Sequence, residues 1–371
     1  MMARLAKGER LTDLCREFGI SRKTGNKFKA RFERLGAAGL EDRSRAPKVI
    51  PHKTPPELME LIVAERRQHP TWGPRKLKDV LERRLSRELP SHSAIGTALL
   101  RAGLVVARKR RLRHTSEPTR LREAAAPNEV WCIDYKGQFR LGDRSYCYPL
   151  TITDQHSRFV LACEGMAAIS DEDARDACDE VFAEWGLPAA IRSDNGVPFA
   201  STGLGGLTRL SAHFLRLGIA LERIRPSHPE ENGRHERMHR TLKAETTRPA
   251  RANLLQQQER FDDWVQEFND LRPHEAIGMK RPAEVFAAST RRMPTRLPEL
   301  IYPAHDDVVR VTRSGQIYIA GIGTVHLTNA LGGQDVGIRE ELDGRWLVTF
   351  AALDLGRVDN TGTLNPVSLS P

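Results

Sequence analysis

Three carboxylates, Asp134, Asp194 and Glu236, are the residues of this 371-residue chain whose types and placement could do chemistry together. Asp134 lies inside the apolar run Val130-Trp-Cys-Ile-Asp-Tyr135, where an unpaired charge is expensive. Asp194 follows Ala189-Ala-Ile-Arg-Ser193, and the Asn195-Gly196 turn exposes its side chain. Glu236 follows Asn232-Gly233, where Asn232 is expected to cap a helix. At helical spacing Glu236 shares a face with Arg240 and Lys243, while Met238 and Leu242 turn toward a core. Acids brought that close need a cation between them. Oxygen-only ligation favours Mg2+ or Mn2+ over zinc. Two such ions can activate an attacking oxygen and stabilise the leaving oxygen of a phosphodiester.

Each acid also has a plainer reading: a satisfied core aspartate, a simple turn, a solvated helix residue. Glu230, Glu231 and Glu245 are rivals for the third position, and Glu236 is preferred because it alone shares a face with the two cations. The same letters spell His235-Glu236-Arg237-Met238-His239, an H-E-x-x-H string that binds zinc elsewhere. No third ligand comes downstream in the usual continuation, and Arg234, Arg237, Arg240 and Lys243 would repel a cation. His239 is expected instead as a phosphate neighbour close to the acids.

The elements that must position these residues emerge from patterning. Strands are expected over Val130–Tyr135, Cys147–Thr153 and Phe159–Cys163. A helix over Asp171–Trp185 precedes a strand ending at Ser193, a helix over His213–Leu217, a strand over Ile219–Arg223 and the Glu236 helix. Three antiparallel strands followed by alternating helices and strands describe an α/β layer fold spanning 128–290. A further helix, Gln256–Asn269, precedes five short strands between Val308 and Phe350, expected to form a small β-barrel of SH3-like size over 300–360.

Ahead of the core the chain is basic. Residues 1–126 carry 30 Lys and Arg against 14 Asp and Glu, a net +16, whereas the whole chain is +10. A basic front on a mildly acidic remainder points to nucleic acid. Residues 1–48 are expected to hold a helix-turn-helix: Leu11, Leu14, Cys15 and Phe18 at helical spacing, Gly19 as a stop, and Ser21 capping a second helix over about 22–34. Arg22, Lys23 and Lys27 on that helix are the candidate DNA contacts. Gly36 to Pro47 is expected as a linker. Residues 52–104 repeat the plan, with Ser91 or Ser93 capping the last helix. Arg108, Lys109 and Arg110 open a basic linker, 105–127, read as a phosphate-tracking tether. Five cysteines without C-x-x-C pairing and no export signal fit a reduced cytoplasm. No apolar run is long enough to span a membrane.

Trp131-x-x-Asp134-x-Lys-Gly, Asp154-x-x-Ser157-Arg158, Ser193-Asp-Asn-Gly-x-Pro-Phe199, Asn232-Gly-Arg-x-Glu-Arg-x-His-Arg-Thr-Leu-Lys243 and Asn269-x-x-Arg-Pro-His274 together resemble bacterial insertion-sequence transposases of the DDE class, with a retroviral-integrase-type core. Phe18-Gly-Ile-Ser-Arg-Lys-Thr-Gly25 is similar to the family's end-binding helix-turn-helix. The resemblance implies an RNase H-like core, metal ligation by Asp134, Asp194 and Glu236, and DNA contacts from Arg240 and Lys243, with Asn195, Gly196 and His239 in support. It implies Mg2+ or Mn2+ as two ions, terminal inverted repeats and target DNA as partners, and a dimer or larger homo-oligomer. No membrane or small-molecule substrate is implied, and the setting would be the bacterial cytoplasm at the nucleoid. Ser201-Thr-Gly-Leu-Gly-Gly206 departs from the compact viral pattern as an insertion, and the front is expected to lack the opening residues of the first helix, as in a copy truncated or started late. A DNA-binding regulator with an inactive core is the alternative reading, and a metalloprotease using His235, Glu236 and His239 a distant third.

Overall fold

The computed structural model describes residues 1–42, 54–105, 121–225 and 228–367. The chain divides into two compact units, Met1–Pro55 and Pro56–Pro371. The first holds α1 (Met2–Leu5), α2 (Leu11–Glu17) and α3 (Arg22–Leu35). Gly19, at φ +63°, turns the chain after α2. Ser21 Oγ then accepts the Thr24 backbone N–H at 3.1 Å and starts α3 where the sequence predicts. The two helices cross closely because position 25 has no side chain: a Cβ on Gly25 would stand 2.3 Å from Cys15 Sγ. Arg22, Lys23 and Lys27 are exposed, leaving their charges outward. The first part of the expected linker is structured instead. Gly36–Leu40 is a 3-10 turn held to α3, where Arg31 donates to the Glu41 carbonyl at 2.8 Å.

The second unit opens with α4 (Pro56–Gln68), α5 (Pro74–Leu85) and α6 (His92–Arg101), packed around Ile62, Trp72, Leu77, Leu81 and Leu99. Ser91, rather than Ser93, caps α6 through the Ala94 N–H. This helical trio is fastened to residues 275–284 by ion pairs, Arg75 to Glu275 and Arg83 to Glu284, each at 2.7 Å. Arg108, Lys109 and Arg110 lie outside the described residues. From Arg122 the chain is already held: its carbonyl accepts from Arg192, and Ala124 is buried against Val130 and Ala190.

Six strands form the central sheet: β1 (Val130–Tyr135), β2 (Phe139–Arg140), β3 (Tyr146–Asp154), β4 (Val160–Met166), β5 (Ala190–Ser193) and β6 (Ala220–Arg223). β4, β3 and β1 are antiparallel neighbours, β1, β5 and β6 run parallel, and the short β2 flanks the start of β3. α7 (Asp171–Trp185) and α8 (Arg209–Arg216) cover one face through Ala174, Cys178, Phe182, Leu210 and Phe214. α9 (Gly233–Thr246) and α10 (Leu254–Gln266) cover the other through Met238, Leu242, Phe261 and Trp264. α8 begins one turn earlier than expected because Thr208 and Ser211 form a reciprocal cap. Asn232 stands at the N-cap position of α9, but its side chain makes no capping hydrogen bond. Its backbone (φ −109°, ψ 22°) is not extended, a 3-10 turn leads into the helix, and its Oδ1 is buried without a partner.

The C-terminal part has seven strands among the described residues, two more than expected. β7 (Asp307–Arg310), β10 (Asp335–Glu340), β11 (Trp346–Phe350), β12 (Leu353–Val358) and β13 (Leu364–Pro366) make one antiparallel sheet, and β8 (Gln316–Ile319) pairs with β9 (Gly323–His326) as a separate ribbon. Among the described residues no pairing joins β7 to β13, so these sheets do not close into the expected barrel. Their core takes in Leu204, Leu207 and Ala212, so the expected insertion at 201–206 is a packing surface.

Candidate active site

The strand register brings the two aspartates together. β1 and β5 pair Val130 with Ala190, Trp131 with Ile191 and Cys132 with Arg192. Two residues further along each strand direction stand Asp134, near the end of β1, and Asp194, just past β5, at the carboxyl ends of parallel neighbours about 4.8 Å apart. Asp194 Oδ1 accepts the Gly196 N–H at 3.0 Å, and Asn195 donates to the Ile224 carbonyl at 2.6 Å, so the turn is held from both sides.

α9 lies against this sheet by a polar contact. His235, Met238, His239 and Leu242 are buried, while Glu236, Arg240 and Lys243 are exposed, the division that the helical spacing predicts. Thr151 Oγ1 hydrogen-bonds with His235 Nε2 at 2.8 Å and His239 Nε2 at 2.6 Å, and donates to the Asp134 carbonyl at 3.1 Å. Thr153 Oγ1 meets His235 Nδ1 at 2.7 Å, and His239 Nδ1 stands 3.6 Å from Asp134 Oδ2. Burial, with Lys136 nearby, pushes His235 down to about 3. Burial, His235 and Lys136 push His239 well below its ordinary value. Both rings are therefore neutral at pH 7.

Burial first and repulsion from Asp194 second raise the Asp134 carboxyl to about 7, with Glu236 adding to the rise and Lys136 opposing it. A carboxyl so placed gains from a cation, which fits oxygen ligation of a hard divalent ion by these acids. The rivals of Glu236 are engaged elsewhere: Glu230 with His228 at 2.8 Å, Glu231 with Arg225 at 2.7 Å, and Glu245 with Arg272 at 2.9 Å.

Asp134 supplies His235 and His239 with the third donor that the sequence downstream lacks, all within 4.8 Å. The zinc-protease arrangement still does not form: threonine hydroxyls hydrogen-bond both rings. His239, expected close to the acids, is buried beside Asp134. Lys136, Thr151 and Thr153 were missed as site residues. Their signal is alternation: Thr151 and Thr153 fall on one face of β3, and Lys136 follows two positions after Asp134, just past the end of β1.

The sequence as a whole is similar to known proteins. Families described as Integrase core domain match residues 124–229 and 217–282, and a Homeodomain-like domain family matches 24–99, from within α3 into α6. The uncharacterized 31.7 kDa protein of insertion element IS407 from Burkholderia multivorans is 29% identical over 66% of this chain and 85% of its own length. The uncharacterized 39.2 kDa protein of insertion element IS476 from Xanthomonas euvesicatoria is 27% identical over 68% and 71%. Among solved structures, the simian T-cell lymphotropic virus intasome in complex with PP2A regulatory subunit B56 gamma is similar at 15% identity and a TM-score of 0.40, over 83% of this chain and 99% of that one.

Proposed function

We propose a specific DNA reaction for this chain, which is an insertion-sequence transposase with an integrase-type, RNase H-like α/β core: cleavage at the element's terminal inverted repeats followed by joining of the freed 3′ ends to target DNA. It is a polynucleotidyl transferase. The observation that carries the chemistry is the β1/β5 register, which sets Asp134 and Asp194 at one sheet end near enough to Glu236 for both to repel the Asp134 carboxyl.

Asp134, Asp194 and Glu236 would hold one or two Mg2+ or Mn2+ ions, which when bound supply Lewis-acid activation and charge stabilisation. Arg240 and Lys243, exposed beside Glu236 on α9, hold the phosphate chain across the acids. In the first step water attacks phosphorus at the element's end, the P–O bond to the 3′ oxygen breaks, and a 3′-OH is left. In the second, that 3′-OH attacks a target phosphodiester in line, forming a P–O bond and expelling the target's own 3′ oxygen. Exposed Arg22, Lys23 and Lys27 on α3 serve recognition of the repeats. Joining two ends to one target calls for at least two copies of the chain.

Purified protein with labelled repeat DNA and Mg2+ tests this. Asp134→Asn, Asp194→Asn and Glu236→Gln should each lower cleavage and joining by about 10³-fold, roughly 4 kcal/mol of transition-state stabilisation, with DNA binding retained. Binding without nicking by the wild type would favour a regulator instead.

A further inference from the structure

On the flank of α9 turned away from Glu236 lies a cavity of about 350 Å³, at the small end of ligand sites. Lys76 of α5, Arg158, Arg234 and Arg237 of α9, Arg272 and His274 all line it. They come from separate segments, and three belong to the sequence motifs Asp154-x-x-Ser-Arg158 and Asn269-x-x-Arg-Pro-His274 that the reaction above leaves without a role.

The acids nearby are already engaged. Asp154, also on the wall, accepts from the Ser157 N–H and Oγ at 2.7 and 2.6 Å and from the Asn128 N–H at 2.8 Å. Glu245 is taken by Arg272 at 2.9 Å, and Glu123 meets Arg234 at 2.6 Å. Among the described residues, Lys76, Arg158 and Arg237 have no ion-paired acid. His274 Nε2 is buried without a hydrogen-bond partner. Arg158 sits at φ +70°, a costly backbone state for a residue with a side chain. The cations are felt within the lining: burial and Arg272 push Lys76 down to about 8, and burial with Lys76, Arg272 and Arg158 pushes His274 down to about 3, which leaves that ring neutral.

We propose that this cavity is a phosphate-binding site, and that its occupant during the reaction is a phosphodiester of the bound DNA. α9 then stands between two phosphate contacts, with Arg240 and Lys243 beside the acids and Lys76, Arg158 and Arg237 on the far flank. The DNA occupant rests on the transposase reading; the phosphate chemistry does not, since inorganic pyrophosphate would fit the same cations.

The test uses the full chain as wild type, as Lys76→Gln/Arg237→Gln and as Arg237→Gln alone. Arg237 is exposed, so the single variant keeps the test open where the double one unfolds. Binding of repeat DNA is followed against salt, and pyrophosphate binding by calorimetry. The expected result is a salt slope shallower by about one for each cation removed. Pyrophosphate uptake lost in the variants with the DNA slope unchanged would keep the site but overturn its DNA occupant. No change in either measurement would overturn the site. A wild type that takes pyrophosphate yet binds no DNA would sink the transposase reading and leave the pocket standing.

Discussion

The buried histidine pair meets a threonine hydroxyl. Thr151 Oγ1 serves His235, His239 and the Asp134 carbonyl at once. Thr151→Val keeps the shape and strands those groups, which should cost about 1–3 kcal/mol, read as a lowered midpoint in urea. His274 gives the pH dependence without the complication of the acids. Burial, then Lys76, Arg272 and Arg158, hold it at about 3 against an ordinary 6.5. Between those values the unfolded chain binds the proton and the folded one does not. The stability His274 contributes is thus full above about 6.5 and is lost as pH falls toward 3. His274→Gln should flatten urea midpoints measured from pH 7.5 to 5. Asp134 works with the opposite sign, since its raised pKa favours the folded state more as pH falls from about 7 toward its ordinary 3.8.

α9 acts as an element because both its ends are fixed. Its N-terminal half is docked by the threonine–histidine contacts, and its C-terminal turn by Glu245. That carboxylate accepts two bonds from Arg272 at 2.9 Å, one from Trp264 Nε1 at 2.6 Å, and one from Thr71 of the helical trio. Arg272 is nearly fully buried, so removing its partner leaves an uncompensated charge. Glu245→Gln should destabilise by about 3–5 kcal/mol, and Glu245→Gln/Arg272→Met by less than the sum of the single changes. A double-mutant cycle in urea checks this, and additivity would refute the coupling.

Across the whole molecule, the C-terminal sheet is part of the core's own packing. Leu204, Leu207 and Ala212 are buried with Val311, Ile338 and Phe350. Ending the chain at Met293 would bare them, and the truncated protein should aggregate in size-exclusion chromatography where the full chain does not. Leu207→Asp in the full chain should destabilise for the same reason, by putting an unpaired charge in an apolar site.

Whatever depends on neighbours along the chain was legible in the letters themselves. Helical spacing sorted Glu236, Arg240 and Lys243 from Met238 and Leu242, Gly19 and Ser21 marked the turn before α3, and an apolar run with one acid marked β1. The motif resemblance went further and named the acids, because spacing within short segments survives in the sequence. Folding was needed for everything that depends on pairing between distant segments. The β1/β5 register set Asp134 beside Asp194, 60 positions apart in the sequence. The Thr151 contact turned two histidines inward, and the convergence of Lys76, Arg158 and His274 made a cavity. The sheets that fail to close into a barrel belong here too, since strand-like patterning along the chain does not say which edges meet.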